Sequence, residues 1–408
     1  MLSIITKIPW LHKGPVRLCP SGFRREDIDT DTFKVVCRLK SFGHAAYIVG
    51  GAVRDLALGI RPKDFDVATS AHPIDIKRIF GNAIIIGHRF KLVHIRFRYG
   101  KIIETATFRR HHGQKEGQVV THDNVFGTEK EDAFRRDFTV NALFFDPDRD
   151  EIIDYVGGLA DLKKRILRSI GDPDERLVED PVRMIRAVKF SAKFGLAMDP
   201  RLEKAIRKHR DKISLCSQRR LFEELIKILK AGMFSAFVRR AAELSLLDRY
   251  LPFIAQLREK NSGYLARLLT ACDECMKNRD TGLYIPFSLL TWPLVEDKYR
   301  QCRDIQKALR LTFHELQSQL PVSKNEKLDI RTLMLFIPRF DYLRHHAQKK
   351  KFIIRKMVRM PAFNEALYLY GLIERSRDQV HDGYEFWKRT ATLVRNTEMA
   401  RRQLKDPA

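Results

Sequence analysis

With 408 residues and 44% hydrophobic content, the chain is long enough for two to four compact units with cores of their own, and it is not disordered as a whole. Lys+Arg 76 against Asp+Glu 51 gives a formal net charge of +25, which points to a polyanionic partner, nucleic acid first. No apolar run approaches the roughly 20 residues that span a bilayer, and six scattered cysteines are too sparse for a disulfide framework, so no membrane partner and a reducing cytosol are expected.

Met1 to Arg25 is basic, acid-free up to its end and interrupted by prolines, which suggests a loosely ordered arm; an organelle-targeting peptide is the alternative. Ile28, Phe33, Val36 and Leu39 recur at helical spacing and predict a helix over Asp27 to Phe42. The apolar run Ala45 to Val49 has strand character and stops at Gly50-Gly51, where glycine lets backbone N–H groups approach a ligand. A helix starting there carries Arg54 in its first turns and closes at Gly59, so N–H groups, the positive helix end and a guanidinium converge where a phosphate could sit.

The chain returns as Asp64-Phe65-Asp66-Val67, and the strand period of two sends both carboxylates to one face and Phe65 to the other. Two unpaired carboxylates repel, and a divalent cation removes the conflict. By itself Asp-X-Asp is a common solvated pair on an edge strand. Joined at this spacing to Gly-Gly-X-X-Arg-Asp, it suggests phosphoryl or nucleotidyl transfer.

A helix over Pro73 to Phe80 precedes three strands, Ala83–Ile86, Val93–Phe97 and Lys101–Thr107, and the polar segment Arg109 to Asn124 reads as a loop. Glu104 interrupts the last strand between Ile103 and Thr105; it either reaches solvent at an edge or faces a metal as a third carboxylate. Arg135, Arg136, Asp137, Thr139 and Asn141 supply phosphate forks and ribose hydrogen-bonding groups together, unless they are a helix cap with surface ion pairs. Asp154 to Asp161 contains a glycine turn with acids on both sides and suits a hinge or a plain loop.

From Asp180 onward amphipathic helices run almost to the end. Asp180 as N-cap and Pro181 at the first helical position open one of them. Asp180 can accept and Arg183 can donate at a nucleobase edge while Arg186 meets phosphate; a cap and an exposed basic face explain the same residues. Cys272 and Cys275 form a lone CxxC without the further ligands that zinc needs, and the basic run Arg344 to Arg359 is either a solvated helix face or an RNA-backbone contact.

In this order the segments from about residue 26 to 232 resemble the bacterial poly(A) polymerase and tRNA CCA-adding nucleotidyltransferase family, the class II branch of the polymerase-β-like superfamily. The resemblance implies an α/β plus all-α chain: a basic arm (1–25), a polymerase-β-like nucleotidyltransferase head with a mixed sheet (26–165), a helical neck that recognises the nucleobase (166–232) and a helical body and tail for RNA binding (233–408). It implies that Asp64 and Asp66 hold Mg2+, with Glu104 or Asp137 as the third active-site acid. Gly50, Gly51 and Arg54 would cradle phosphates; Arg136, Asp137 and Asn141 would address sugar and phosphates; Asp180, Arg183 and Arg186 would select adenine and anchor ATP. Arg219 to Leu225 is similar to the helix-stabilising motif that comes next in the family.

Two segments are similar to the poly(A) polymerase branch rather than the CCA-adding one: Ile84 to Ile95, with basic residues around Phe90 and a Leu-X-His after it, and Lys350 to Lys388, with Met360-Pro361-Ala362-Phe363 and Phe386-Trp387-Lys388. The expected reaction is addition of AMP from ATP to RNA 3′ ends with release of pyrophosphate. A CCA-adding enzyme is the alternative, and a non-catalytic RNA-binding protein is a third reading.

Overall fold

A computed structural model describes residues 17–87, 92–110, 125–278, 282–377 and 382–403. The chain divides into two compact units: residues 1–183 with 194–209, and residues 184–193 with 210–408.

The first unit is built on strands β1 (Arg17–Pro20), β2 (Ala46–Val49), β3 (Asp66–Thr69), β4 (Ala83–Ile86), β5 (Leu92–Arg96), β6 (Ile102–Thr107), β7 (Leu143–Asp146) and β8 (Glu151–Asp154). They form one sheet in the order β1-β8-β7-β2-β3-β6-β5-β4. All neighbours are antiparallel except β3 and β6, so the sheet is mixed, as expected. Helices α1 (Thr30–Ser41) and α3 (Pro73–Ile79) bury Val36, Leu39 and Ile76, the apolar positions that recur at helical spacing.

Val49, Ala68, Phe144 and Ile153, on neighbouring strands, form one cluster with Ala133 and Ile170. Ala133 belongs to α4 (Glu129–Arg135). Register places Val49 opposite Asp66 and Phe144, so Asp66 starts its strand on the face of that cluster. Between β1 and β3 the unit also contains α2 (Gly51–Ala57), and beyond β8 come α5 (Gly158–Lys163), β9 (Ile166–Leu167), α6 (Pro173–Glu179), α7 (Val182–Phe194), β10 (Ala197–Met198) and α8 (Pro200–His209), of which the middle of α7 belongs to the second unit.

The second unit is helical: α9 (Gln218–Lys230), α10 (Phe234–Glu243), α11 (Leu247–Tyr250), α12 (Pro252–Lys260), α13 (Ser262–Asn278), α14 (Tyr284–Cys302), α15 (Ile305–Glu315), α16 (Lys324–Met334), α17 (Ile337–His345), α18 (Lys351–Val358), α19 (Phe363–Ser376) and α20 (Gly383–Gln403). One of its cores gathers around Phe340, whose ring lies 5.1 Å from Tyr370, 5.1 Å from Trp387 and 5.7 Å from Phe363. Phe363 and Trp387 are residues through which the C-terminal segment resembles poly(A) polymerases, so that likeness marks a packed core. Buried Lys189 of α7 and Glu224 of α9 form an ion pair, and Lys227 donates to the same carboxylate at 3.0 Å.

Three expectations need correction. The basic arm is not loose throughout: Arg17–Pro20 pairs with β8, with Arg17 opposite Asp154 and Pro20 opposite Glu151, an edge position where the missing proline N–H does no harm. Helices begin before Asp180, since α6 starts at Pro173 with Asp172 accepting from the Asp174 and Glu175 backbone N–H groups. Asp180 is the C-cap of α6, and α7 opens at Val182. Residues 1–16 of the arm, 111–124 of the expected loop and 88–91 of the poly(A) polymerase-like segment lie outside the described residues.

Candidate active site

β3 begins at Asp66, so Asp64 lies before the strand and the period-two argument does not govern it; both residues are exposed. Val67 is opposite Thr105 in the parallel β3–β6 pair, which sets Asp66 beside Glu104 one step earlier on each strand. Alternation in β6 buries Ile103 and Thr105 and leaves Glu104 exposed on the Asp66 face. His94, opposite Glu104 on β5, has Nε2 3.7 Å from Glu104 Oε1.

The Asp66 carboxyl is pushed up to about 6 by its enclosure in protein and then by the charge of Glu104, with Arg136 opposing and Asp64 adding to the rise. The residue nevertheless keeps solvent access. Among the described residues no three His, Cys, Asp or Glu side chains enclose an ion unaided. A cluster of carboxylates in which Asp66 resists ionisation, with an open side, fits a hard divalent cation completed by phosphate oxygens and water.

Gly50 makes the turn from β2 into α2 with φ +69°, ψ −120°, a conformation that excludes L side chains. A Cβ there would also stand 3.0 Å from Arg136 Nη1 and 3.7 Å from the Asn141 carbonyl oxygen. Gly59, with φ +70°, follows the C-cap of α2 as expected.

Arg54, expected to grip phosphate, is buried. Its Nη1 donates to Asn141 Oδ1 at 2.6 Å, its Nε and Nη2 donate to Asp55 Oδ1 at 2.9 and 2.6 Å, and its guanidinium lies 4.1 Å from the Phe194 ring centre. In the structure Arg54 is thus held against Asn141. Nothing in the sequence links Arg54 to Phe194.

Asn141 continues the chain of contacts, its Nδ2 donating to Asp137 Oδ1 at 3.3 Å, where the Phe138 N–H also donates at 2.9 Å. Asp137 is buried, so of the two candidate third acids it is Glu104 that the fold places beside Asp66. Arg136 approaches Gly50 from the other side, its Nη1 donating to the Asn141 carbonyl at 3.0 Å and its Nε and Nη2 to Asp132 Oδ2 at 3.1 and 2.9 Å. Asp132 is buried and also accepts from Arg135 at 2.8 Å. Burial alone would raise its carboxyl, but Arg136 and Arg135 outweigh that and hold it low. Its spacing of three and four residues from the arginines is the signal that could have found it.

The glycine turn after β8 is tied down. Asp154 Oδ1 accepts from the Val156, Gly157 and Gly158 N–H groups at 3.1, 2.8 and 3.0 Å, and Oδ2 from Leu159 at 3.0 Å. A Cβ on Gly158 would meet the Thr139 carbonyl oxygen at 2.3 Å, and Asp161 accepts from Thr139 Oγ1 at 2.7 Å. The expected hinge is thus a clamp on the segment that carries Asp137 and Asn141. Arg176, absent from the expected site, donates through Nη2 to the Arg135 and Arg136 carbonyls at 2.7 and 2.9 Å and through Nη1 to Glu179 at 2.7 Å. Glu179 also accepts from Arg183 at 2.6 Å, so α6 links Arg183 to the Arg136 segment. Asp180 is half-buried beside them, whereas Arg186 falls in the part of α7 that belongs to the second unit.

Two family models match the chain, the poly A polymerase head domain over residues 46–168 and the probable RNA and SrmB-binding site of polymerase A over residues 195–257. A Haemophilus influenzae protein named poly(A) polymerase I is 40% identical over 345 residues, which cover 80% of this chain and 74% of that protein. The chain belongs to the bacterial poly(A) polymerase family. Within the wider family, a Lactobacillus johnsonii CCA-adding enzyme is 37% identical over 212 residues, 52% of this chain and 53% of that one. Among solved structures, the Bacillus stearothermophilus CCA-adding enzyme in complex with CTP superposes with TM-score 0.62 at 26% identity, covering 88% of this chain and 80% of that one.

Proposed function

We propose that this chain is a template-independent polynucleotide adenylyltransferase that adds AMP from ATP to RNA 3′ ends and releases pyrophosphate. The observation that carries this reading is the reach of the likeness: the poly(A) polymerase I relative matches 80% of the chain, whereas the CCA-adding relative matches 52%. Membership of the family supports action in the cytosol, in bacterial mRNA processing.

Asp66 and Asp64, with Glu104 on the nucleophile side, are the residues that would hold Mg2+, which when bound acts as a Lewis acid toward the terminal 3′-OH and the triphosphate. Gly50 and Gly51 present backbone rather than side chain to the phosphates, and Arg136 supplies the guanidinium next to Gly50. Arg54 and Asp137 orient the Asn141 amide from opposite sides, which fixes it for the ribose. Asp180 accepts from the adenine amino group and Arg183 donates to its ring edge, and the Arg176–Glu179 link keeps that pair in register with Arg136. The helical residues after 232 serve RNA binding, and on α18 Lys351, Arg355 and Lys356 stand exposed beside Phe352 as one contact surface.

Incubating one RNA with each labelled nucleoside triphosphate separately tests the proposal. Long products from ATP alone are expected. Extension of tRNA lacking its end by C, C and A followed by arrest would instead make the chain a CCA-adding enzyme, and the absence of metal-dependent pyrophosphate release would leave only an RNA-binding protein.

A further inference from the structure

In the second unit, α15 and α16 flank a groove of about 510 Å3, within the range of about 300–1,000 Å3 that holds small-molecule-sized groups. Its walls carry five cations: Lys307 and Arg310 from α15, and Lys324, Lys327 and Arg331 from α16. Four of them are exposed and Lys327 is half-buried. Among the described residues none of the five pairs with an acid. Arg331 Nη2 donates to Gln306 Oε1 at 3.1 Å, across the groove. The acid in the lining, Asp304, turns its carboxylate to the backbone N–H groups of Gln306 and Lys307 at 2.8 and 3.1 Å, where it caps α15. Phe313 and Leu328 supply apolar surface between the charges, and Leu328 is 61% exposed.

Five like charges facing one channel repel one another, and ion pairing inside the protein does not relieve them. A polyanion threaded between the helices would. Cations along both walls with an aromatic ring between them are the makings of a single-stranded nucleic-acid channel, in which phosphates meet the lysines and arginines while a base rests on the ring. An acidic peptide would meet the charges but has less use for the aromatic and aliphatic floor, and a flat anionic membrane would not enter a recessed channel.

We infer that the α15–α16 groove binds the phosphodiester backbone of a single-stranded RNA segment upstream of the end being extended, with Phe313 against a base. The inference rests on RNA being the substrate, and it assigns holding of the RNA body to a surface outside both the head residues described above and the basic run of α17 and α18.

The test uses the full chain with Lys307, Arg310, Lys327 and Arg331 changed to Ala, and a milder variant with only Lys307→Gln and Arg331→Gln. Binding of a long unstructured RNA is measured against salt, without ATP or metal, so that the result is independent of which nucleotide the enzyme adds. Each lost phosphate contact lowers the slope of log affinity against log salt by about 0.7 for a single strand, so the fourfold variant should lose about 2 to 3 from that slope and at least about tenfold in affinity at low salt. The double variant should lose about half the slope change. Phe313→Leu should weaken binding by up to about tenfold and leave the slope unchanged. Extension of a short oligonucleotide primer at saturating concentration should keep its rate and report that the fold is intact. Unchanged affinity and slope in the double variant, or lost binding to phosphatidylserine vesicles with RNA binding intact, would overturn the inference.

Discussion

Replacing Asp66 with Asn separates the energetic role of the acid cluster from its chemical one. The carboxyl sits at about 6 against an ordinary value of 3.8, because enclosure and the charges of Glu104 and Asp64 disfavour its ionised form. The folded protein therefore holds the Asp66 proton more tightly than the unfolded chain does. Without metal, stability falls as pH rises from about 3.8 through about 6, and the whole penalty is present at pH 7 to 8. At about 1.4 kcal/mol per pH unit the ceiling is about 3 kcal/mol, and since Asp66 keeps solvent access, screening reduces this to about 1 kcal/mol. Asp66→Asn should thus raise the melting temperature of metal-free protein at pH 7.5 by about 2–4 °C, and the gain should vanish near pH 4. Adding Mg2+ should stabilise the wild type more than the variant, and tailing by the variant should be abolished while RNA binding stays nearly intact. Thermal melts over pH 4 to 8, with and without chelator, read out the stability terms, and primer extension and RNA binding assays read out the other two. A variant that is less stable than wild type at pH 7.5 in chelator, or that extends a primer at the wild-type rate, refutes the reasoning.

Other perturbations test the frame around the acids. Gly50→Ala forces a side chain into the left-handed region against Arg136 and should lower primer extension by about tenfold or more, measured under single-turnover conditions, with a loss of stability of about 1–3 kcal/mol. Asp154→Ala strips the acceptor from four backbone N–H groups and should cost about 3 kcal/mol or more in urea unfolding. Glu224→Ala leaves Lys189 buried without its carboxylate and should cost about 3–5 kcal/mol, whereas Lys189→Met combined with Glu224→Leu should recover most of it; equal losses in both would show that packing, not charge, holds that pair. Asp180→Ala should reduce the preference for ATP over the other triphosphates by about 10- to 100-fold in competition assays while sparing pyrophosphate release itself.

The parts legible in the sequence are those set by neighbours along the chain. The Gly50 turn, the Gly59 stop and the outward position of Glu104 follow from backbone conformation and alternation, and each stands where expected. Asp64 escaped the same logic because β3 starts two residues later than a strand containing both acids would need. Partners far apart in sequence stayed hidden. Arg54 reads as a phosphate ligand until Asn141 and Phe194 are seen to enclose it, and the glycine turn reads as a hinge until the Asp154 carboxylate is seen to gather it. Arg176 has a local partner only in Glu179, three residues on; the two main-chain carbonyls it also reaches lie on another element, where no local signal points.

The Arg54–Phe194 contact also bears on how the chain can be divided and in what order it is completed. Phe194 is made only after the Met184–Lys193 stretch that belongs to the other unit, so during synthesis the framework around Gly50 and Asn141 waits for residues beyond that detour before Arg54 gains its aromatic cover. A fragment ending at Arg183 would carry every carboxylate of the candidate site and still leave a buried guanidinium without its lid, along with the unpaired edge of β9 that β10 fills. The smallest piece expected to fold around the acids therefore runs through His209, and proteolysis within residues 184–193 should destabilise the first unit as well as the second.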